Sequence, residues 1–290
     1  MKIAIVWKWW AWKTTLSVCL IKMLSKYKKI IAIDADSNKN LIDYLWFDWE
    51  HEKFELWDLK NDIFAITWVA WSEYDRKYSP KNNNRVFKTN IYDDIYSKVA
   101  YSSNSNYDLI QLWEPRESRV WVTWMCPYNE TIKVYLSNLN ELENEIVWID
   151  FAAWAESVNK WIISSVDNII IPLEPNSKNL DVAKDIYKTL KLINFNNVFF
   201  IVNKCKSDSD IEYLKDYFWE DIDIIWKVQF SKEIMKMDIE WNINLSLMPK
   251  NIIEELDFIS KKILNMKSDN ESVFERLNYL DELKWEKKCH

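Results

Sequence analysis

Glycine is missing from this chain. Its 290 residues include none, against 19 tryptophans, where ordinary proteins carry about 7% glycine. Taken at face value, that excludes the turns and anion loops that need a residue without a Cβ. Histidine is nearly missing too. His51 and His290 are the two in the chain, too few for a His-rich metal site and a poor basis for a His-based triad. The four cysteines, Cys19, Cys126, Cys205 and Cys289, are scattered without Cys-x-x-Cys or zinc-finger spacing. No apolar run approaches the roughly 18 residues of a membrane span, and no secretory leader is recognisable. The expectation is a cytoplasmic protein with reduced thiols and no stable membrane anchor. A basic excess is also lacking. With 38 Lys and Arg against 45 Asp and Glu the formal charge is −7, so the whole chain favours no nucleic acid or anionic membrane as partner.

What is present is concentrated in residues 5–15, where Trp7, Trp9, Trp10 and Trp12 interleave with Lys8, Ala11, Lys13, Thr14 and Thr15. Read with glycine at each tryptophan, residues 7–15 become G-K-G-G-A-G-K-T-T, a phosphate-binding loop. An apolar strand (Ile3 to Val6) precedes it and a helix-like segment (Leu16 to Leu24) follows. Strand, loop and helix are the context that makes such a pattern a site. Composition supports the substitution, because the tryptophan fraction is what the glycine fraction should be. Position supports it as well. Trp154 follows Asp150-Phe-Ala-Ala and Trp226 follows an apolar run, both places where glycine belongs. A codon that means glycine in the source organism, translated as tryptophan, produces this pattern. The distinction is physical. A phosphate loop wraps backbone N–H groups around an anion, with positive φ at some residues and no side chain in between. Four indoles would fill that space, so the chain as written is expected to bind nucleotide poorly or not at all, and the functional reading assumes glycine.

The rest alternates apolar strands with helices. Strands are expected at 29–33, 109–112, 146–150, 168–172, 198–202 and 222–228, and helices at about 130–139, 177–192, 231–238 and 250–266. Continuously apolar strands separated by helices predict an α/β fold: a doubly wound, mostly parallel sheet flanked by helices. The expected organisation is one domain over 1–267 with a polar, aperiodic surface insertion at about 75–106, followed by a helical tail over 268–290. Packing of that tail on the body or on a partner fits its mixed charge better than a membrane surface does. Asp34 and Asp36 end the second strand and so sit at the carboxyl edge of the sheet, where open α/β folds bind ligands. Asp150 ends another apolar strand, the position of the acid that holds the Mg²⁺ water shell in P-loop proteins.

With Lys8 two residues after the strand and Lys13-Thr14 closing the loop, the chain resembles the deviant Walker A ATPases of the MinD/ParA/CobQ class, whose mark is the lysine at position 8. Asp34-Ala-Asp36, Asn40-Leu41, Cys126-Pro-Tyr-Asn and Leu173-Glu-Pro make it most similar, within that class, to the nickel-maturation ATPases of carbon monoxide dehydrogenase. The resemblance implies ATP and Mg²⁺ as ligands and an ATP-dependent homodimer. Backbone N–H groups of 9–14 would cradle the phosphates, with Trp154, as glycine, admitting the γ-phosphate. Lys13 would neutralise the β- and γ-phosphates, Thr14 would ligate Mg²⁺, and Lys8 would reach the partner's nucleotide. Asp36 would orient the attacking water, with Asp34 and Asp150 in the metal shell. Asn203 matches the adenine-reading position, or else caps a strand end.

The departure is at the soft-metal site. The maturation ATPases carry Cys-x-Cys before the proline, and here Trp124 leaves Cys126 alone. One thiolate per subunit gives two across a dimer, a weak Ni²⁺ or Zn²⁺ site unless other groups join. The alternative is a structural thiol. Two functions stay open: an accessory ATPase that matures a client metalloenzyme, and a positioning or partition ATPase acting on DNA or membrane. A nucleotide-incompetent binding protein follows if the tryptophans are real.

Overall fold

Period-two alternation inside the apolar runs explains the sheet. In β1 (Lys2–Ile5) the side chains of Ile3 and Ile5 join one core while Ala4 joins another. In β7 (Glu145–Phe151) Ile146 and Trp148 face the first and Val147 and Ile149 the second. A strand buried on both faces must be apolar throughout, which is what makes these runs legible. The computed structural model describes residues 1–7, 13–36, 40–45, 47, 53–67, 85–112, 126–151, 162–218 and 222–286, with backbone alone at 126–129, 270 and 280–286.

The further strands are β2 (Lys29–Ala35), β3 (Phe87–Lys88), β4 (Ala100–Ser102), β5 (Tyr107–Gln111), β6 (Leu139–Asn140), β8 (Asn168–Leu173), β9 (Val198–Cys205) and β10 (Ile224–Gln229). Among the described residues, eight form one sheet in the order β10-β9-β8-β1-β7-β2-β5-β4. All neighbours run parallel except β4 and β5. The short strands β3 and β6 form a separate parallel pair. The sheet is therefore mostly parallel and doubly wound, with the order reversing beside β1, the place where such folds bind ligands.

Helices cover both faces. On one lie α1 (Lys13–Leu24), α2 (Asn40–Leu45), α8 (Lys232–Ile239) and α9 (Lys250–Leu264). On the other lie α3 (Lys60–Thr67), α4 (Asp94–Val99), α5 (Cys126–Ser137), α6 (Ser177–Leu192) and α7 (Asp208–Phe218). A last helix, α10 (Asn270–Glu286), follows Asp269, whose N–H donates to Asp167 Oδ1 at 3.0 Å. It buries Val273 and Leu277, and its Arg276 donates to Val166 O at 2.8 Å while lying 4.2 Å from the Phe195 ring centre. The tail thus packs on the body.

Two local results differ from the pattern expected. Residues 85–106 contain β3, α4 and β4, and Phe87, Tyr96 and Val99 enter the core. Asp93 explains the helix, accepting from the N–H groups of Ile95 at 3.0 Å and Tyr96 at 2.9 Å as its N-cap. The helix expected from Glu130 begins at Cys126. Pro127 is tolerated there because first-turn N–H groups have no intrahelical acceptor to lose.

Three tryptophans sit in unusual places. Trp241 has φ 53°, the left-handed region that glycine occupies freely and a bulky residue does not. It stands just past α8, its N–H bonded to Asp238 O at 3.2 Å and the next N–H, of Asn242, to Met237 O at 2.9 Å. That pair of bonds is a Schellman cap, whose left-handed residue is usually glycine. Trp7 and Trp148 are 2% and 0% exposed, and neither indole N–H has an acceptor among the described residues. Buried indoles ordinarily find one.

Candidate nucleotide-binding site

Strand register assembles the site. β1 lies beside β7 with Ile5 opposite Asp150, and β7 lies beside β2 with Asp150 opposite Asp34. The two carboxylates therefore leave neighbouring strands side by side at the carboxyl edge, next to the end of β1. Helix α1 begins there, so Lys13 and Thr14 occupy its first turn.

The side chains converge. Lys13 Nζ is 3.0 Å from Asp150 Oδ1 and 3.2 Å from Asp36 Oδ2, and it also donates to the carbonyl of Phe151. Thr14 Oγ1 donates to Asp150 Oδ2 at 3.0 Å. Asp34 accepts from the N–H of Asp36 at 3.1 Å and of Leu41 at 3.0 Å. One ammonium thus stands among three carboxylates on described residues. Burial pulls the Lys13 ammonium down, but Asp150 and Asp36 outweigh it and the group ends above its usual range. Burial pushes Asp150 up more than Lys13 restores. At Asp34 burial, with the Asp150 charge adding, pushes the carboxyl up to about 8. Of the coupled pair, the charge on Lys13 is the firmer, because two carboxylates and a carbonyl hold it. At Asp34 and Asp150 burial prevails.

This donor set suits a hard divalent ion. It offers one hydroxyl and carboxylates, all oxygen. Mg²⁺ takes one or two such groups and completes its shell with water and phosphate oxygens. Among the described residues no group of three or more His, Cys, Asp and Glu is arranged as an all-protein metal cage.

Of the remaining candidates, Trp7 closes the end of β1 and is buried. Lys8, Trp9, Trp10, Ala11, Trp12 and Trp154 lie outside the described residues, as does the side chain of Cys126. Asn203 stands at the same sheet edge, 4% exposed, its Oδ1 accepting from Lys204 N–H at 3.0 Å. Lys204 adopts a left-handed φ of 57° and pairs with Glu174 at 2.7 Å. Thr15 turns away from the acids and donates to Asp238 in α8. Asp238, Tyr44 and the Phe151 carbonyl also belong to this network. Nothing in the local pattern marks them, because their partners are more than a hundred residues away.

Residues 11–250 match the CobQ/CobB/MinD/ParA nucleotide binding domain. The chain belongs to this family. By sequence the chain is similar to an uncharacterised ATP-binding protein of Methanocaldococcus jannaschii, 28% identical over 92% of this chain and 99% of that protein. The carbon monoxide dehydrogenase accessory protein CooC of Rhodospirillum rubrum is 22% identical over 82% of this chain and 87% of CooC. Among solved structures, the septum site-determining protein MinD of Pyrococcus horikoshii, complexed with Mg-ADP, superposes with a TM-score of 0.61. It is 16% identical and covers 91% of this chain and 96% of its own. Among the described residues no helix is long and apolar enough to cross a membrane.

Proposed function

We propose that the protein is a Mg²⁺-dependent ATP hydrolase that dimerises on ATP and serves as an accessory factor in maturing a client metalloenzyme. The convergence of Lys13, Thr14, Asp34, Asp36 and Asp150 at the end of β1 carries the reading. Lys13 would exchange its carboxylate partners for the β- and γ-phosphates. Thr14 and Asp150 would hold Mg²⁺, directly or through water, with Asp34 behind them, and the ion would spread the charge of the phosphates. Asp36 would orient the attacking water. Phosphoryl transfer needs chiefly positioning and charge stabilisation, which this set supplies. Lys8 would cross to the nucleotide of the second subunit, and Asn203 would read the adenine.

The maturation role is supported by the likeness to CooC and by the Cys126-Pro127 segment. Ni²⁺ or Zn²⁺ bridged by two Cys126 thiolates at the dimer interface is part of the same proposal. A positioning ATPase on DNA or membrane is the second reading. The likeness to MinD favours it, at the level of fold, and the net charge of −7 opposes it.

We also propose that glycine occupies the tryptophan positions in the natural protein. The left-handed Trp241 in a Schellman cap and the buried indoles of Trp7 and Trp148, without an acceptor among the described residues, support this independently of composition. Peptide mass spectrometry of the natural protein across residues 9–13 tests it, with tryptophan there overturning it. For the activity, the glycine chain should turn over ATP with Mg²⁺ and form an ATP-dependent dimer by light scattering, and Lys8→Ala should bind ATP as a monomer. Absence of turnover in the glycine chain would reject the reading.

A further inference from the structure

Asp238 lies in α8, some 200 residues from the loop in sequence, yet it joins the two halves of the site. Its Oδ1 accepts from Thr15, in the first turn of α1, and from the Tyr44 hydroxyl at 2.6 Å. The same hydroxyl lies 3.2 Å from the Asp238 carbonyl. A second fastening runs in parallel, with Lys22 Nζ donating to Ile243 O at 2.6 Å and to Tyr44 O at 3.4 Å. Tyr44 is thus held at both its side chain and its main chain.

Tyr44 belongs to α2, which is six residues long. A helix that short is unstable by itself and takes its position from what it packs on. Leu41, Ile42, Tyr44 and Leu45 are buried, but apolar contacts alone allow sliding and rotation, whereas two hydroxyls on one carboxylate oxygen fix both. At the start of α2 the N–H of Leu41 donates to Asp34 Oδ2. A continuous line of bonds therefore runs from Asp238 through Tyr44 and α2 to Asp34, and from Asp238 through Thr15 to the turn that carries Lys13 and Thr14.

We infer that Asp238 is a positioning residue for phosphoryl transfer: it sets the distance between the phosphate-binding turn of α1 and the acid-bearing end of β2 by clamping Thr15 and Tyr44 together. The inference rests on the ATPase reading. Asp238 would act through Thr15 and Tyr44. Its loss should lower kcat more than it weakens ATP binding, because misplacement by a fraction of an ångström costs most in the transition state.

The test uses the full chain with glycine at the tryptophan positions. Asp238→Ala should lower kcat about tenfold while ATP affinity by calorimetry changes less than threefold. Asp238→Asn keeps the Oδ1 acceptor and should recover most of the loss. Tyr44→Phe should lower kcat several-fold, and adding it to Asp238→Ala should change little more, since both break one coupling. Amide exchange over residues 41–45 should quicken in Asp238→Ala, with or without nucleotide, while residues 252–263 stay protected. Unchanged kcat, equal losses in kcat and affinity, no rescue by Asn, or additive effects of the two substitutions would each overturn the clamp. A parent chain that binds ATP but never hydrolyses it would overturn the ATPase reading instead, and exchange at 41–45 would then decide the clamp. If Asp238→Ala does not fold, Tyr44→Phe carries the same kinetic and exchange predictions.

Discussion

The two ends of strands β1 and β7 each hold a buried cluster of charge, and the clusters are built in opposite senses. At the amino end Glu141 receives Lys2 Nζ at 2.9 Å, the Met1 amine at 3.0 Å and Arg85 at 3.7 Å. Burial pushes the Glu141 carboxyl up, but Lys2 and the amine overcome it and bring it down to about 2. Lys2 ends below its usual range because burial outweighs Glu141 there. The Lys2 N–H is used as well, donating to Asp167 Oδ2 at 2.6 Å. At the carboxyl end the described residues set acids in the majority. The Lys13 ammonium meets Asp36 and Asp150, with Asp34 behind them, and burial raises both Asp34 and Asp150. A carboxyl driven down despite its burial is one well supplied with cations. A cluster whose acids are driven up by burial would be relieved by a divalent cation. The same strands thus end in charge clusters of opposite balance among the described residues.

The largest effect is expected at the amino end. Glu141→Ala leaves Lys2 and the amine buried without their acid, and should cost on the order of 3–5 kcal/mol of stability with no change in nucleotide affinity. Denaturant unfolding and calorimetry measure the two. Loss of affinity there would mean the clusters are coupled.

Acid should separate the ends next. A carboxyl depressed on folding stabilises above its unfolded pKa and stops doing so as pH falls through its folded one. Glu141 should therefore contribute a few kcal/mol, roughly 3, that disappears between about pH 4.5 and pH 2. The contribution of Asp34 has the reverse sign. Its folded carboxyl keeps a proton that the unfolded chain has released, so stability falls as pH rises from about 4 toward 8. Unfolding curves from pH 2 to 8 should show the acid limb vanish in Glu141→Gln while the slope above pH 4 remains.

At the carboxyl end Asp36→Asn should lower turnover about a hundredfold and leave ATP binding within a few-fold, in the glycine chain. Steady-state kinetics beside calorimetry checks this. Wild-type turnover would remove Asp36 from the reaction. The smallest effect is expected at Trp241→Gly. Relief of a left-handed tryptophan should stabilise by up to about 1 kcal/mol, after loss of its stacking on Tyr44 at 5.1 Å. A clear loss of stability would mean that tryptophan suits the position.

Long apolar strands were legible from sequence because burial on both faces makes the whole run apolar. Hence β2, β7, β8 and β9 fall where their runs predict, within a few residues. The two- and three-residue strands β3, β4 and β6 carry no period to detect, and α2 and α4 are too short to show a helical one. The acids of the site were legible for a related reason, since each ends a buried strand. The clamp at Asp238 and the ion cluster at Glu141 were not. Both join residues more than a hundred positions apart through single hydrogen bonds or charges, and neither leaves a trace in local composition.

We propose above that residues 7–15 with glycine form an ATP site whose Mg²⁺ would be held by Thr14 and Asp150, with Asp34 behind them. It is tested most directly by titrating Mg-ATP calorimetrically into two full-length chains, one as written and one with glycine at 7, 9, 10 and 12. The glycine chain should bind one ATP per subunit in a Mg²⁺-dependent way, and the chain as written should bind at least a hundredfold more weakly, as indoles in place of a backbone anion cradle require. Equal affinities, or no binding to either, would reject this site.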